Sequence, residues 1–222
     1  MKKIILSILT FAFLNLTLNA QSKEGYIKYS IEMSSENTEM QMGLAMMSGS
    51  GMEISFKDEN SRMVMNMGSF MTVETITKDN KDILLMMSGM MIGSTAVRTT
   101  KSELEEGNDI PEMSVEFENE TKEILGYTCK KAIVSSKGET NGLVFWYTEK
   151  MDMPDNEMLN ANGLVPGVIL EFQTSEGEMN MAFTAVEVKN KIAASITFSL
   201  DIPEGFDEKT FEEFSKMGGG GF

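Results

Sequence analysis

Met63, Met65 and Met67 stand two residues apart, a spacing that in an extended chain puts three thioethers on one surface. Thioethers are soft ligands that favour Cu(I). They are also flexible, polarizable fillers, suited to linings that must adapt to apolar ligands of varied shape. The same spacing recurs at Met40/Met42, Met151/Met153 and Met179/Met181, with adjacent methionines at Met46/Met47, Met86/Met87 and Met90/Met91. All but one of the 22 methionines lie beyond residue 20. The clusters have Ile, Val and Phe neighbours, and the chain contains no histidine, the commonest metal ligand. The pattern therefore reads as core or pocket lining, with Met63, Met65, Met67, Met86 and Trp146 as the ligand-contacting set and Cu(I) binding as the alternative. No metal site and no cofactor are assigned.

Other chemistry is scarce. Without histidine, Ser-His-Asp and Cys-His catalysis and imidazole-based zinc sites are removed. Cys129, the single cysteine, sits in the apolar-alternating stretch Tyr127 to Val134 and reads as a small buried hydrophobe. The carboxylate runs Glu103, Glu105, Glu106, Asp109 and Glu116, Glu118, Glu120, Glu123 lack the spaced Asp/Asn-and-Gly pattern of a calcium loop. Alternating glutamates of this kind form the solvated face of a strand. No phosphate-cradling glycine loop follows a strand. No catalytic residue is assigned, and enzymatic activity is not expected.

The elements that must position the methionines are mostly strands. In Gly25 to Met33 the apolar Ile27, Tyr29, Ile31 and Met33 alternate with Lys28, Ser30 and Glu32. Similar patterns occur at 52–57, 61–67, 72–77, 82–87, 96–100, 114–118, 127–135, 143–148, 168–174, 179–188 and 194–200. Asp58-Glu59-Asn60, Lys78-Asp79-Asn80, Lys137-Gly138 and Ser175-Glu176-Gly177 supply the turn chemistry between them. Strands this short and this closely spaced predict antiparallel hairpins. Helices are expected at Asn37 to Met47, capped by Asn37 or Thr38, and from Asp207 to Met217. Leu104 to Met113 reads as the long loop between two halves of one sheet.

At the start of the chain, Lys2 and Lys3 precede an apolar run from Ile4 to Leu18, with small-residue cleavage chemistry at Leu18-Asn19-Ala20. A membrane anchor needs about 20 apolar residues, so residues 1–20 read as a cleaved signal peptide. Residues 21–217 would then form a single β domain, with 218–222 a flexible glycine-rich tail. No cysteine stands at the processed terminus, so a lipoprotein is not expected. The address is periplasmic or secreted, in a Gram-negative envelope. Removing Lys2 and Lys3 from 19 basic residues leaves 17 against 34 acidic ones, a formal charge of −17. Such a surface repels nucleic acid and anionic headgroups. The partner expected is an apolar small molecule or lipid, without stable membrane insertion; no protein partner is assigned.

Three stretches carry a family likeness: Glu123-Ile124-Leu125-Gly126-Tyr127-Thr128-Cys129-Lys130-Lys131-Ala132, then Phe145-Trp146-Tyr147-Thr148, then Leu164-Val165-Pro166-Gly167-Val168-Ile169-Leu170-Glu171-Phe172. The ending Leu200-Asp201-Ile202-Pro203-Glu204-Gly205-Phe206 adds to it. Together they resemble the exported domain-of-unknown-function family numbered forty-four twelve, and the related proteins named for a Gly-Leu-Pro-Gly-Leu-Ile motif. From that motif Leu164-Val165-Pro166-Gly167-Val168-Ile169 departs at several positions. The resemblance implies a fold like that of periplasmic lipoprotein carriers, an incomplete antiparallel β-barrel whose open side is plugged by one or two helices, and it implies no catalytic residues. The fold class expected is mainly β (α+β), and the function expected is a non-enzymatic envelope protein with an apolar ligand in its concave face. A structural or partner-binding envelope protein without a small ligand is the remaining alternative.

Overall fold

A computed structural model describes residues 22–90, 93–107, 113–136, 142–154, 156–161 and 163–216. The expected signal peptide, the glycine-rich tail, Met91, Asp109 and Met217 lie outside the described residues.

Among the described residues one mixed sheet of twelve strands dominates. Its first half is a meander of β1 (Glu24–Ser35), β2 (Gly51–Lys57), β3 (Asn60–Met67), β4 (Met71–Lys78), β5 (Asp82–Gly89) and β6 (Gly93–Thr100). The second half is another meander, β7 (Met113–Ile124), β8 (Tyr127–Ser136), β9 (Leu143–Thr148), β10 (Val168–Glu176) and β11 (Met179–Lys189). The halves join where β1 pairs antiparallel with β11, and the short β12 (Asp207–Lys209) adds parallel to β6. The sheet is open, with β12 and β7 as its edges. This is the mainly β class read from the alternation of apolar residues.

Connectivity requires that the sheet curl. Strands β6 and β7 follow one another in the chain but stand ten strand positions apart, about 48 Å on a flat sheet. The 7-residue helix α2 (Lys101–Gly107) rises only about 10 Å, and the residues before Met113 add at most about 20 Å even fully extended. Curvature must close the difference, and it gives the sheet one concave and one convex surface.

Local chemistry explains most boundaries. The β7–β8 hairpin turns through Leu125 and Gly126 alone, both at positive φ (51° and 82°), the pair of conformations a two-residue hairpin with right-handed strand twist requires. Helix α1 (Thr38–Met46) starts at Asn37, whose side chain accepts the Glu39 N–H at 2.9 Å, as the sequence led one to expect. Three expectations are corrected. The stretch from Leu104, expected as loop, begins inside helix α2 (Lys101–Gly107). Among the described residues, 194–200 join no ladder, and a helix does not begin at Asp207. Instead 207–209 pair with the open edge of β6, and helix α4 (Phe211–Phe214) starts at Thr210, where Thr210 and Glu213 form a reciprocal capping box. The helices are short and lie at margins: α1 beside β1, α2 and α4 beside β6, and α3 (Glu157–Asn160) on β10.

The main core lies on one face. Ile27 and Tyr29 of β1, Met52, Ile54 and Phe56 of β2, and Phe145, Phe172 and Phe183 of β9–β11 are buried together with Met151, Met153, Leu159 and Val165 of the segment between β9 and β10. Phe172 and Phe183 stack at 4.4 Å, and the Tyr29 hydroxyl donates to the Ile169 carbonyl at 2.6 Å, fastening β1 to β10. Buried Asn160 holds the segment between β9 and β10 in shape: its Oδ1 accepts from Asn156 N and Gly163 N, and its Nδ2 donates to the Pro154 carbonyl. A second, smaller cluster lies on the opposite face, where Phe198, Leu200, Ile202 and Phe206 pack on Ile76, Leu84, Met86 and Ala96.

Candidate functional site

Strand register decides which predicted site residues meet. Across β2–β3–β4–β5, Met52 lies opposite Met65, Met65 opposite Val73, and Val73 opposite Met87; Met67 lies opposite Met71. Residues directly opposite share a face, so Met63, Met65, Met67, Met71, Leu85 and Met87 form one strip, continuous with the core face of Ile27 and Tyr29 through Ile54 and Met52. Every member of the strip is half-buried. Met63 and Met65 pack against the main core, which makes the strip its uncovered margin.

Met86 and Trp146 are not part of it. Met86 pairs with Glu74 and Ala96 on the opposite face and is 5% exposed beneath the chain's own 198–206 segment. A one-residue step in a strand reverses the face, which separates Met86 from Met87. Trp146 shares a row with Lys131, Glu171, Thr184 and Ser30, again on the face away from the methionines. There the Lys122 ammonium lies 5.3 Å from its ring centroid and bonds both Glu171 oxygens at 2.5 and 2.6 Å. Of the five residues chosen from sequence, three come together, and Met71 and Met87, which sequence spacing did not select, join them. Their signal is hairpin register, which no single-strand pattern contains.

Other charged groups are arranged as surface pairs. Glu118 and Glu120 both reach Lys131, at 3.0 and 3.2 Å, and Arg62 pairs with Glu74 at 2.7 Å. Among the described residues no group of three or more His, Cys, Asp or Glu is placed to hold a metal ion. No helix among them is long and apolar enough to cross a membrane.

Cys129 is fully buried, and burial first, then the Glu123 carboxylate, pushes its thiol up to about 11. The native protein should therefore resist alkylation at pH 8 and react with one equivalent of thiol reagent only on denaturation. Because an unfolded thiol titrates at about 8.5, this contribution to stability is complete below that pH and is lost as pH rises through about 11. Tyr26, pushed up to about 12 by burial and then Glu53, acts in the same direction. Denaturant midpoints measured from pH 8 to 11 should fall; a rise would contradict the assignment.

Residues 56–212 match the family described as N-glycanase peptide, N-terminal domain. The chain belongs to that family. The matched span contains all three stretches singled out in the sequence, together with the methionine strip. Among solved structures, PNGF-II in the P21 space group aligns with a TM-score of 0.53 at 18% identity, covering 88% of this chain and 33% of that one. PNGF-II in the C2 space group aligns at 17% identity with a TM-score of 0.49, covering 87% and 32%. The chain thus spans about a third of the solved structure whose fold it shares. Among curated proteins, none matches.

Proposed function

We propose that this chain is a non-catalytic binding module of a Gram-negative envelope, taking up a lipid or other apolar chain along the methionine strip. The observation that carries the reading is the register that lines Met63, Met65, Met67, Met71 and Met87 along one half-buried margin of the core face. Thioether side chains reshape at little cost, which suits a ligand of variable form. Membership in a family defined by an N-terminal domain supports a module over a self-contained enzyme. The absence of histidine and the raised Cys129 thiol support it further.

Protein isolated from its own envelope should release lipid on organic extraction, detected by mass spectrometry. An apolar fluorescent probe should bind the emptied protein and be displaced by that lipid. Met65→Glu should weaken probe binding at least about tenfold, because an apolar lining desolvates a carboxylate at high cost. Extracts without lipid and a probe indifferent to Met65→Glu would overturn the proposal. Tight stoichiometric Cu(I) binding that is lost when Met63, Met65 and Met67 together become leucine would replace it with the copper reading. A protein partner is the second reading, favoured by one observation: in the alignment with PNGF-II the shared fold is accompanied by a much longer chain.

A further inference from the structure

The methionine strip is open to a chemistry that ligand packing does not use. A thioether has no proton to lose and needs no neighbouring base, so its sulfur lone pairs react directly with electrophilic oxygen. The product, methionine sulfoxide, is polar and chiral, and reductases return it to the thioether. Which sulfurs a folded protein offers is then a matter of access. Here access is graded: Met63, Met65, Met67, Met71 and Met87 are half-buried along the margin, whereas Met52, Met86 and Met151 are 0%, 5% and 0% exposed. The single cysteine, Cys129, is fully buried, so no accessible thiol competes for the oxidant.

Position makes oxidation consequential. In the row Met52, Met65, Val73, Met87 no side chain is of a type that donates a hydrogen bond, and in the row Ile54, Met63, Thr75, Leu85 the Thr75 hydroxyl is the one donor. Met67 and Met71 lie opposite one another, followed by Gly89. A sulfoxide oxygen formed here is hydrated while the strip stays open to water. An apolar molecule laid over it would bury that oxygen without a partner, a cost repeated at each oxidised position. Met63 and Met65 also pack on the main core, but Met52 and Met151 within that core are sealed, so oxidation stops at the margin and the fold survives it. We propose that a hydroperoxide oxidises these five methionines in the folded protein and thereby releases the apolar ligand, which makes the strip a reversible, oxidant-sensitive site. The proposal rests on the apolar binding proposed above. In each event the sulfur lone pair attacks one peroxide oxygen, an S–O bond forms as the O–O bond breaks, and the departing hydroxide takes the remaining peroxide proton and leaves as water. Sulfur loses two electrons and the peroxide gains them. A dithiol, acting through a methionine sulfoxide reductase, reverses the change and yields thioether, disulfide and water.

The test uses the intact chain, hydrogen peroxide and the neutral apolar probe N-phenyl-1-naphthylamine. Peptide mass spectrometry should show one added oxygen on each of the five methionines while Met52, Met86 and Met151 stay unchanged, and probe affinity should fall at least about tenfold. Cys129 should remain unreactive to thiol reagents, which verifies that the oxidised protein is folded. Treatment with dithiothreitol and both sulfoxide reductases, one for each epimer, should restore binding. With Met63→Leu, Met65→Leu, Met67→Leu, Met71→Leu and Met87→Leu together, a change that roughly conserves volume, affinity before and after peroxide should agree within about twofold whatever its starting value. Met46→Leu with Met90→Leu, which removes exposed thioethers outside the strip (58% and 88%), should respond to peroxide as the wild type does. A reduced protein that does not bind the probe would remove the apolar binding and the oxidation proposal together. Probe binding that survives complete oxidation of the strip, five methionines that resist peroxide, a loss that the reductases do not reverse, a loss shared by the leucine variant, or a loss that comes with exposure of Cys129 would overturn the oxidation proposal alone.

Discussion

Gly167→Ala is expected to destabilise the protein by at least about 3 kcal/mol, a fall in Tm on the order of 6–12 °C for a domain of this size. Gly167 follows Pro166 at the entry to β10, with φ at +92°. A Cβ there would stand 2.1 Å from the Thr148 carbonyl oxygen and 3.0 Å from Glu149 Cα, both backbone atoms of the neighbouring strand end. Two penalties combine: a conformation L-residues rarely adopt, and a collision that no side-chain rotation relieves. Gly177 provides the control, since its φ is +59° but an added Cβ meets nothing within 4 Å. Gly177→Ala should cost about 1 kcal/mol. Thermal denaturation of the two variants distinguishes them, and equal losses would show that φ alone matters at position 167.

Phe56→Ala should cost about 3–5 kcal/mol, the usual range for truncating a fully enclosed phenyl ring. Phe56 is 0% exposed and belongs to the main core. Its ring occupies space cleared by a missing side chain across the ladder: Gly25 lies opposite Phe56, and a Cβ on Gly25 would stand 2.6 Å from Phe56 Cζ. Gly25→Ala should therefore destabilise the wild type, and by less when Phe56 is already leucine. Denaturant unfolding of the four proteins in this cycle should give a favourable coupling of about 1 kcal/mol. Additive effects would mean that Gly25 is required by the backbone and not by the ring.

The contrast between Phe56 and Phe117 illustrates what a sequence pattern reports. Both sit in alternating strands among polar neighbours, yet one is sealed in the core and the other is half-exposed. Alternation assigns a face within one strand. It is silent on whether another layer covers that face, because coverage comes from residues far away in the chain: Phe56 shares its cluster with Met151, Leu159 and Val165.

The amino-acid sequence by itself determined most of the strands, their antiparallel hairpin connections and the Asn37 cap, since each rests on alternation or on a local backbone preference readable within a few residues. It also carried the same-face placement of Met63, Met65 and Met67, a consequence of strand geometry alone. Tertiary structure decided the rest. The edge of β6 drew 207–209 into the sheet, and Ile76, Leu84 and Met86 drew 198–206 across it, leaving the expected strand at 194–200 outside any ladder. Register across separate hairpins turned Met86 and Trp146 away from the other methionines and brought Met71 and Met87 beside them. Those outcomes depend on which strand lies next to which, and that is fixed by closing loops and burying area over the whole sheet, where a shift of one residue exchanges the two faces.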